Sequence, residues 1–205
     1  MNATFLTVGE ALTDIVITAD GARHEYPGGS PLNVAVALGR LGHHSHLLTA
    51  IGPDARGDQI RHHVESSHVH LTPGSIGQNR TSTAEATLDA TGAAQYTFDL
   101  AWDPDPRELP DQVDAVHTSS IAAVLAPGAA TVADVLARYR ASALISYDPN
   151  ARPDLMGDPV AARALVEENI ALADIVKCSD EDVAWLYGTD DAEDVCEGGG
   201  DEDQL

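Results

Sequence analysis

Pro27-Gly28-Gly29-Ser30-Pro31-Leu32-Asn33 places a glycine pair immediately before a helix start and an asparagine in its first turn. Such glycines let a ligand approach the backbone, and Asn33 can hydrogen-bond a hydroxyl from the helix end. Taken alone, the same residues also suit an ordinary strand-to-helix turn. Other groups share this position after a strand. Asp148, Asn150 and Arg152 lie just beyond an apolar run in Tyr147-Asp148-Pro149-Asn150-Ala151-Arg152-Pro153. The carboxyl ends of strands are where open α/β sheets bind ligands, so these polar groups suit a crevice better than a core. Gly52, Asp54 and Gly57 follow another strand. Ser179 is placed to cap a helix whose first turn holds Glu181 and Asp182, acids that the helix dipole favours for stability alone. The histidine groups His43, His44, His46 and His62, His63, His68, His70 flank helix ends or lie on a polar helix, without cysteines or zinc-type spacing, and read as solvated.

The elements that must position these groups alternate. Phe5–Val8 and Ala11–Thr18 read as strands meeting at Gly9-Glu10, and Ser30-Pro31 caps and opens a buried helix that Gly42 stops. A strand through His46–Gly52, a polar helix over Asp54–Ser66 and a short strand His68–Leu71 follow. Thr81–Leu88 and Ala94–Leu100 form a hairpin about the turn Asp89–Gly92. With the strand from Ala11 and one near His24–Tyr26, the hairpin makes a separate small sheet, a lid. From Val113 the alternation resumes: a strand, a helix over Ala129–Arg140, the strand Ala143–Pro149, a helix over Val160–Leu172, the strand Asp174–Cys178 and a helix from Ser179. The class is α/β with a three-layer, mostly parallel sheet. Trp102 and Trp185 read as partial core anchors.

Composition narrows the partners. The chain has 205 residues, 43% apolar but only 4% aromatic, which makes one domain with an aliphatic core. Eleven basic against 33 acidic residues give a formal charge of -22, which argues against nucleic acid. Lys177 is the only lysine. Two cysteines form no disulfide framework, and no apolar window approaches the length that crosses a bilayer, so a reduced cytoplasmic setting without membrane contact is expected. The acidic, glycine-rich stretch 191–205 is expected to be a disordered tail beyond a core over 1–190.

In this order, Val8–Ile15, Gly28–Gly42, Ile51–Gly57, the hairpin around Arg80–Leu100, Ser146–Pro153 and Val176–Gly188 resemble the PfkB, or ribokinase-type, carbohydrate kinases, and within them the fructokinase-like members. The resemblance is collinear from Phe5 to about Gly188. It implies a ribokinase-like fold whose small β lid, about 11–27 and 80–101, closes over a sugar, and ATP with Mg2+ as phosphoryl donor. It also implies a possible homodimer through the lid. By position, Asp14 resembles the acid that binds sugar hydroxyls, Gly28, Gly29 and Asn33 the sugar signature, and Ser179 and Asp182 the metal and phosphate vicinity. Many members have Asn in place of Ser179 and Glu in place of Asp182.

The family's second signature, a Gly-Ala-Gly-Asp helix start supplying the phosphate-binding amides and the catalytic base, does not occur in the 205 residues. Gly198-Gly199-Gly200-Asp201 lacks the strand and helix that such a loop needs. The expectation is therefore a sugar kinase lacking its C-terminal part, with a non-catalytic sugar binder or the product of an interrupted reading frame as alternatives.

Overall fold

The computed structural model describes residues 2–77, 80–88, 94–189 and 195. In chain order its elements are β1 (Thr4–Val8), β2 (Leu12–Ile17), β3 (Arg23–Gly28), α1 (Ser30–Arg40), β4 (His44–Leu48), α2 (Ala55–Ser66), β5 (Val69–Leu71), β6 (Ser82–Leu88), β7 (Ala94–Asp99), β8 (Ala115–Ser119), α3 (Gly128–Tyr139), β9 (Leu144–Asp148), α4 (Pro153–Met156), α5 (Pro159–Ile170), β10 (Ile175–Val176) and α6 (Asp180–Tyr187). Two 3-10 turns, Pro73–Ser75 and Ser120–Ala123, complete them. The turn expected at Asp89–Gly92 and, apart from Val195, the tail expected over 191–205 lie outside the described residues.

The main sheet runs β10-β9-β8-β1-β4-β5, and its strand pairs are all parallel. Both faces must then be covered, and the side chains divide accordingly. Leu32, Ala35 and Val36 of α1, with Ile60 and Val64 of α2, pack with Leu47 on one face. Val132, Val135, Leu136 and Tyr139 of α3 recur at the spacing of a single helix stripe and pack with Leu6, Val116 and Ile145 on the other. The result is three layers, as the alternation of elements predicts.

β3-β2-β6-β7 make the second sheet, in which β2 pairs parallel to β6 and the other pairs are antiparallel. The strands flanking Gly9-Glu10 thus belong to different sheets, and the turn between them crosses from one to the other.

Two local expectations need correction. Ser30 does not cap α1: Gly29, at φ 115, takes the N-cap position and its carbonyl accepts from the Asn33 amide at 3.0 Å. Ser30 is already helical, and its hydroxyl accepts from Ser119 Oγ at 3.1 Å. Nor is α1 buried all round. Asn33 and Ala37 are exposed because they form a wall of the cleft described below.

At the far edge β10 is only two residues long, and Leu144, Ile175 and Val176 lie exposed there. Trp102 is a buried member of the larger core. Its indole N–H donates to the Ala122 carbonyl at 3.0 Å, and its own carbonyl accepts from the Gly128 amide. It thereby fixes the 3-10 turn Ser120–Ala123 beneath the cleft. Trp102→Ala removes a buried aromatic and its hydrogen bond together. Urea denaturation should show a loss of about 3–5 kcal/mol in stability.

Candidate functional site

The chain runs outward from β1 to β4 and β5, then returns to place β8 on the other side of β1. This reversal opens a crevice at the carboxyl ends of β1 and β8, where α/β sheets bind ligands. A cleft of about 820 Å³ lies there, between the main sheet and the small one. Asn33, Val34 and Ala37 of α1 form one wall. Leu12, Asp14, Ala84, Tyr96 and Phe98 of the small sheet form the opposite wall. Glu10 and Ser120 lie at the strand ends, and Asn150 and Arg152 close one side.

Close backbone packing builds the floor. A Cβ on Gly29 would lie 2.5 Å from the Glu10 carbonyl oxygen, and its φ of 115 is open to glycine alone in practice. A Cβ on Gly28 would lie 1.9 Å from Asp14 Oδ2. Gly28 therefore shapes the site by leaving room for the Asp14 carboxylate instead of touching the cleft itself. Ser120 and Asn150, which both line the cleft, hold positive φ values of 60 and 37. Backbone held in this region is characteristic of functional sites.

The electrostatics are uneven. Asp14 is exposed in the cleft, yet the protein around it raises its carboxyl above the ordinary carboxylate range, with the Arg152 charge pulling the other way. Burial pushes the Glu10 carboxyl up to about 8, against the amides of Glu10, Ala122 and Ser30 and the Ser120 hydroxyl. On the aromatic side the Tyr96 and Phe98 rings stack with centroids 6.0 Å apart.

The sequence pattern described as "pfkB family carbohydrate kinase" matches residues 3–201. The chain belongs to that family. It is 34% identical over 199 residues to a fructokinase of Klebsiella pneumoniae, covering 93% of this chain and 65% of that protein. A fructokinase of Vibrio cholerae O395, whose crystal structure holds fructose, ADP and a calcium ion, superposes with a TM-score of 0.75 at 26% identity. That match covers 95% of this chain and 66% of the Vibrio chain. A sugar kinase of Pyrococcus horikoshii in complex with ATP superposes with a TM-score of 0.77 at 28% identity, over 90% of this chain and 66% of that one. The chain thus spans a little under two thirds of the length of the Klebsiella relative.

Within this pfkB chain the residues singled out by sequence separate into two groups. Asp14, Gly29, Asn33, Asn150 and Arg152 come together around the cleft. Asp148, Ser179 and Asp182 do not line it. Asp148 pairs with Lys177 at 3.3 Å and accepts from the Asn150 amide. Ser179 and Asp182 form a reciprocal capping box on α6, and Asp182 Oδ1 also accepts from the Ala151 amide at 2.6 Å. Asp182 is buried and braces the loop that presents Asn150 and Arg152. Glu10, Ser120, Tyr96 and Phe98 were not picked out from sequence. The Tyr96-x-Phe98 alternation on one strand face was the available signal, and Glu10 looked like an ordinary turn acid.

The Gly52-x-Asp54-x-x-Gly57 segment is also structural. Asp54 caps α2 through the Gly57 amide at 2.9 Å and accepts from both the amide and hydroxyl of Thr81 at 2.8 Å, at the start of β6. Arg56 makes a two-pronged pair with Glu25 of β3, at 2.9 and 2.8 Å. Together these hold the small sheet against α2. Burial raises the Asp54 carboxyl, but the hydrogen bonds from Gly57 and Thr81 outweigh it and hold it below the ordinary range.

A depressed folded-state carboxylate contributes stability above its unfolded titration range, and the contribution is lost as pH falls through the folded one. Asp54→Asn should therefore narrow the stability difference between neutral and acid pH relative to the parent chain. Asp54→Ala should cost about 1–2 kcal/mol at neutral pH through loss of the cap. Thermal melts across a pH series measure both.

Proposed function

We propose that the cleft binds the sugar acceptor of an ATP-dependent carbohydrate kinase, with fructose or a related ketose as substrate. The observation that carries the reading is the cleft's two-sided chemistry. Asp14, Asn33, Asn150 and Arg152 offer directional acceptors and donors, while Tyr96 and Phe98 offer an aromatic face. A sugar presents the same division, with hydroxyls at its edges and C–H groups on its faces. The fructose held by the Vibrio relative and the ATP held by the Pyrococcus relative support this choice of substrate and donor.

In this reading the four-stranded sheet is the lid. Its closure excludes water and orients a hydroxyl, so the contribution of these residues is positioning. Asp14 accepts from sugar hydroxyls, Asn33 and Asn150 bridge them, and the Arg152 charge opposes the burial that raises the Asp14 carboxyl. Gly28 and Gly29 set the space for both.

ATP and Mg2+ would supply the phosphoryl group and the neutralisation of its charge. Among the described residues no cluster of three or more His, Cys, Asp or Glu side chains could hold an ion, and both oxygens of Asp182 are already engaged by amides.

A cytoplasmic setting is part of this reading, and no described helix is long and apolar enough to cross a membrane. Association of two copies through the lid sheet belongs to the same proposal, since Tyr26 presents a large exposed ring there.

Calorimetry on the 205-residue chain should show weak fructose binding. Asn33→Ala should lose about 1–3 kcal/mol by leaving a substrate hydroxyl unpaired. A coupled assay with ATP and magnesium should show no phosphorylation above background. Fructose binding unchanged by both Asn33→Ala and Asp14→Ala would remove the sugar from this cleft, and robust turnover would show that the chain builds its own donor site.

A further inference from the structure

Glu10 is 6% exposed and lines the cleft, and its Oε2 is buried without a hydrogen-bond partner. Three segments meet around it: the β1–β2 turn, the first turn of α1 and the 3-10 turn Ser120–Ala123. The Ser30 and Ala122 amides and the Ser120 hydroxyl act on its carboxyl from the last two. The positive φ of Ser120 brings that residue to the same spot, and the Gly29 approach to the Glu10 carbonyl seals it from the other side.

We propose that Glu10 is a positioning residue for sugar binding: its uncharged carboxyl clasps these three segments into the cleft floor, and charging it loosens them. The inference rests on the sugar-binding reading above and adds a control on it.

The surroundings offer this carboxyl amides and a hydroxyl, which burial outweighs, and no positive charge. Residues 30–33 and 120–123 carry no titratable side chain. The charged groups sharing the cleft are Asp14 from the small sheet, with Arg152 and Asp154 from the loop and helix after β9. Arg152 acts on Asp14, and none of the three figures among the influences on Glu10. A buried carboxylate with an unpartnered oxygen and no counter-ion is costly, so ionisation is relieved by admitting water between the clasped segments. Asn33 stands one helical turn from Gly29, its amide donating to the Gly29 carbonyl at 3.0 Å, so displacement of this floor carries Asn33 with it. Burial sets the switching range, with the carboxyl raised to about 8.

The sign follows. The competent form is protonated, so affinity is fully present below this range and is lost as pH rises through it. Fructose binding by the 205-residue chain is measured by calorimetry at about pH 6.5 and about pH 9.5, where the parent should weaken about tenfold. Glu10→Gln, which keeps the shape and removes the titrating group, should bind with the same affinity at both pH values, without the parent's loss. A carboxyl-carbon NMR titration of the 13C-labelled parent chain gives an independent reading that needs no variant to fold. It should show one glutamate titrating near 8, missing from Glu10→Gln.

Equal loss of affinity in parent and Glu10→Gln, with binding still dependent on Asn33, overturns the inference and leaves the sugar reading standing. So does a Glu10 carboxyl that titrates in the ordinary range. A folded chain that binds no fructose at either pH overturns the sugar reading, and the inference with it.

Discussion

The site depends on one close approach, between the turn that leaves β1 and the turn that enters α1. Pro31 packs so tightly on Gly9 that a Cβ there would lie 2.1 Å from its ring, and Gly29 packs against the Glu10 carbonyl in the same way. Two backbone segments at van der Waals contact leave no room for side chains, which fixes where both must go. The first crosses into the small sheet and carries Asp14. The second starts a helix and carries Asn33. The cleft is the space these departures leave between them, and its size and lining follow from a contact made by glycines.

Around this contact the polar residues divide their work. Within the cleft, Arg152 donates to Asn150 Oδ1 and to the Asn150 and Ala151 carbonyls, which sets these two side chains against each other at one side of the site. Those one layer out are fully committed: Asp54 to Thr81 and Gly57, Asp182 to Ala151 and Ser179, and Glu25 to Arg56. Each ties a mobile type of element, a small-sheet strand or a loop, to a helix of the main body. Such ties cost the protein little in water-exposed settings and contribute modestly to stability, but they set the angle at which the two cleft walls face each other.

Most of the fold was legible because its signals are local. The alternating periods of strand and helix, the hairpin of Ser82–Leu88 with Ala94–Asp99, and the proline and glycine punctuation at Gly28–Pro31 all act within a few residues. What was not legible depends on distant partners. Ser30 looked like a cap because nothing in sequence shows Ser119 waiting for its hydroxyl. The partners of Asp148 and Asp182, Lys177 and the Ala151 amide, come within reach only after folding. Glu10 was missed for the same reason in reverse: Ser120 and Ala122, whose groups act on its carboxyl, lie more than a hundred residues away in sequence.

The central claim is that the crevice between the two sheets is where the sugar sits, and amide mapping tests it directly. Fructose is titrated into the 15N-labelled chain while backbone resonances are followed. The account predicts that saturable shifts concentrate at Asp14, Gly29, Asn33, Ser120 and Asn150, with the far edge at Ile175 and Val176 unmoved. Shifts that gather at that edge, or that scatter without saturating, would contradict it.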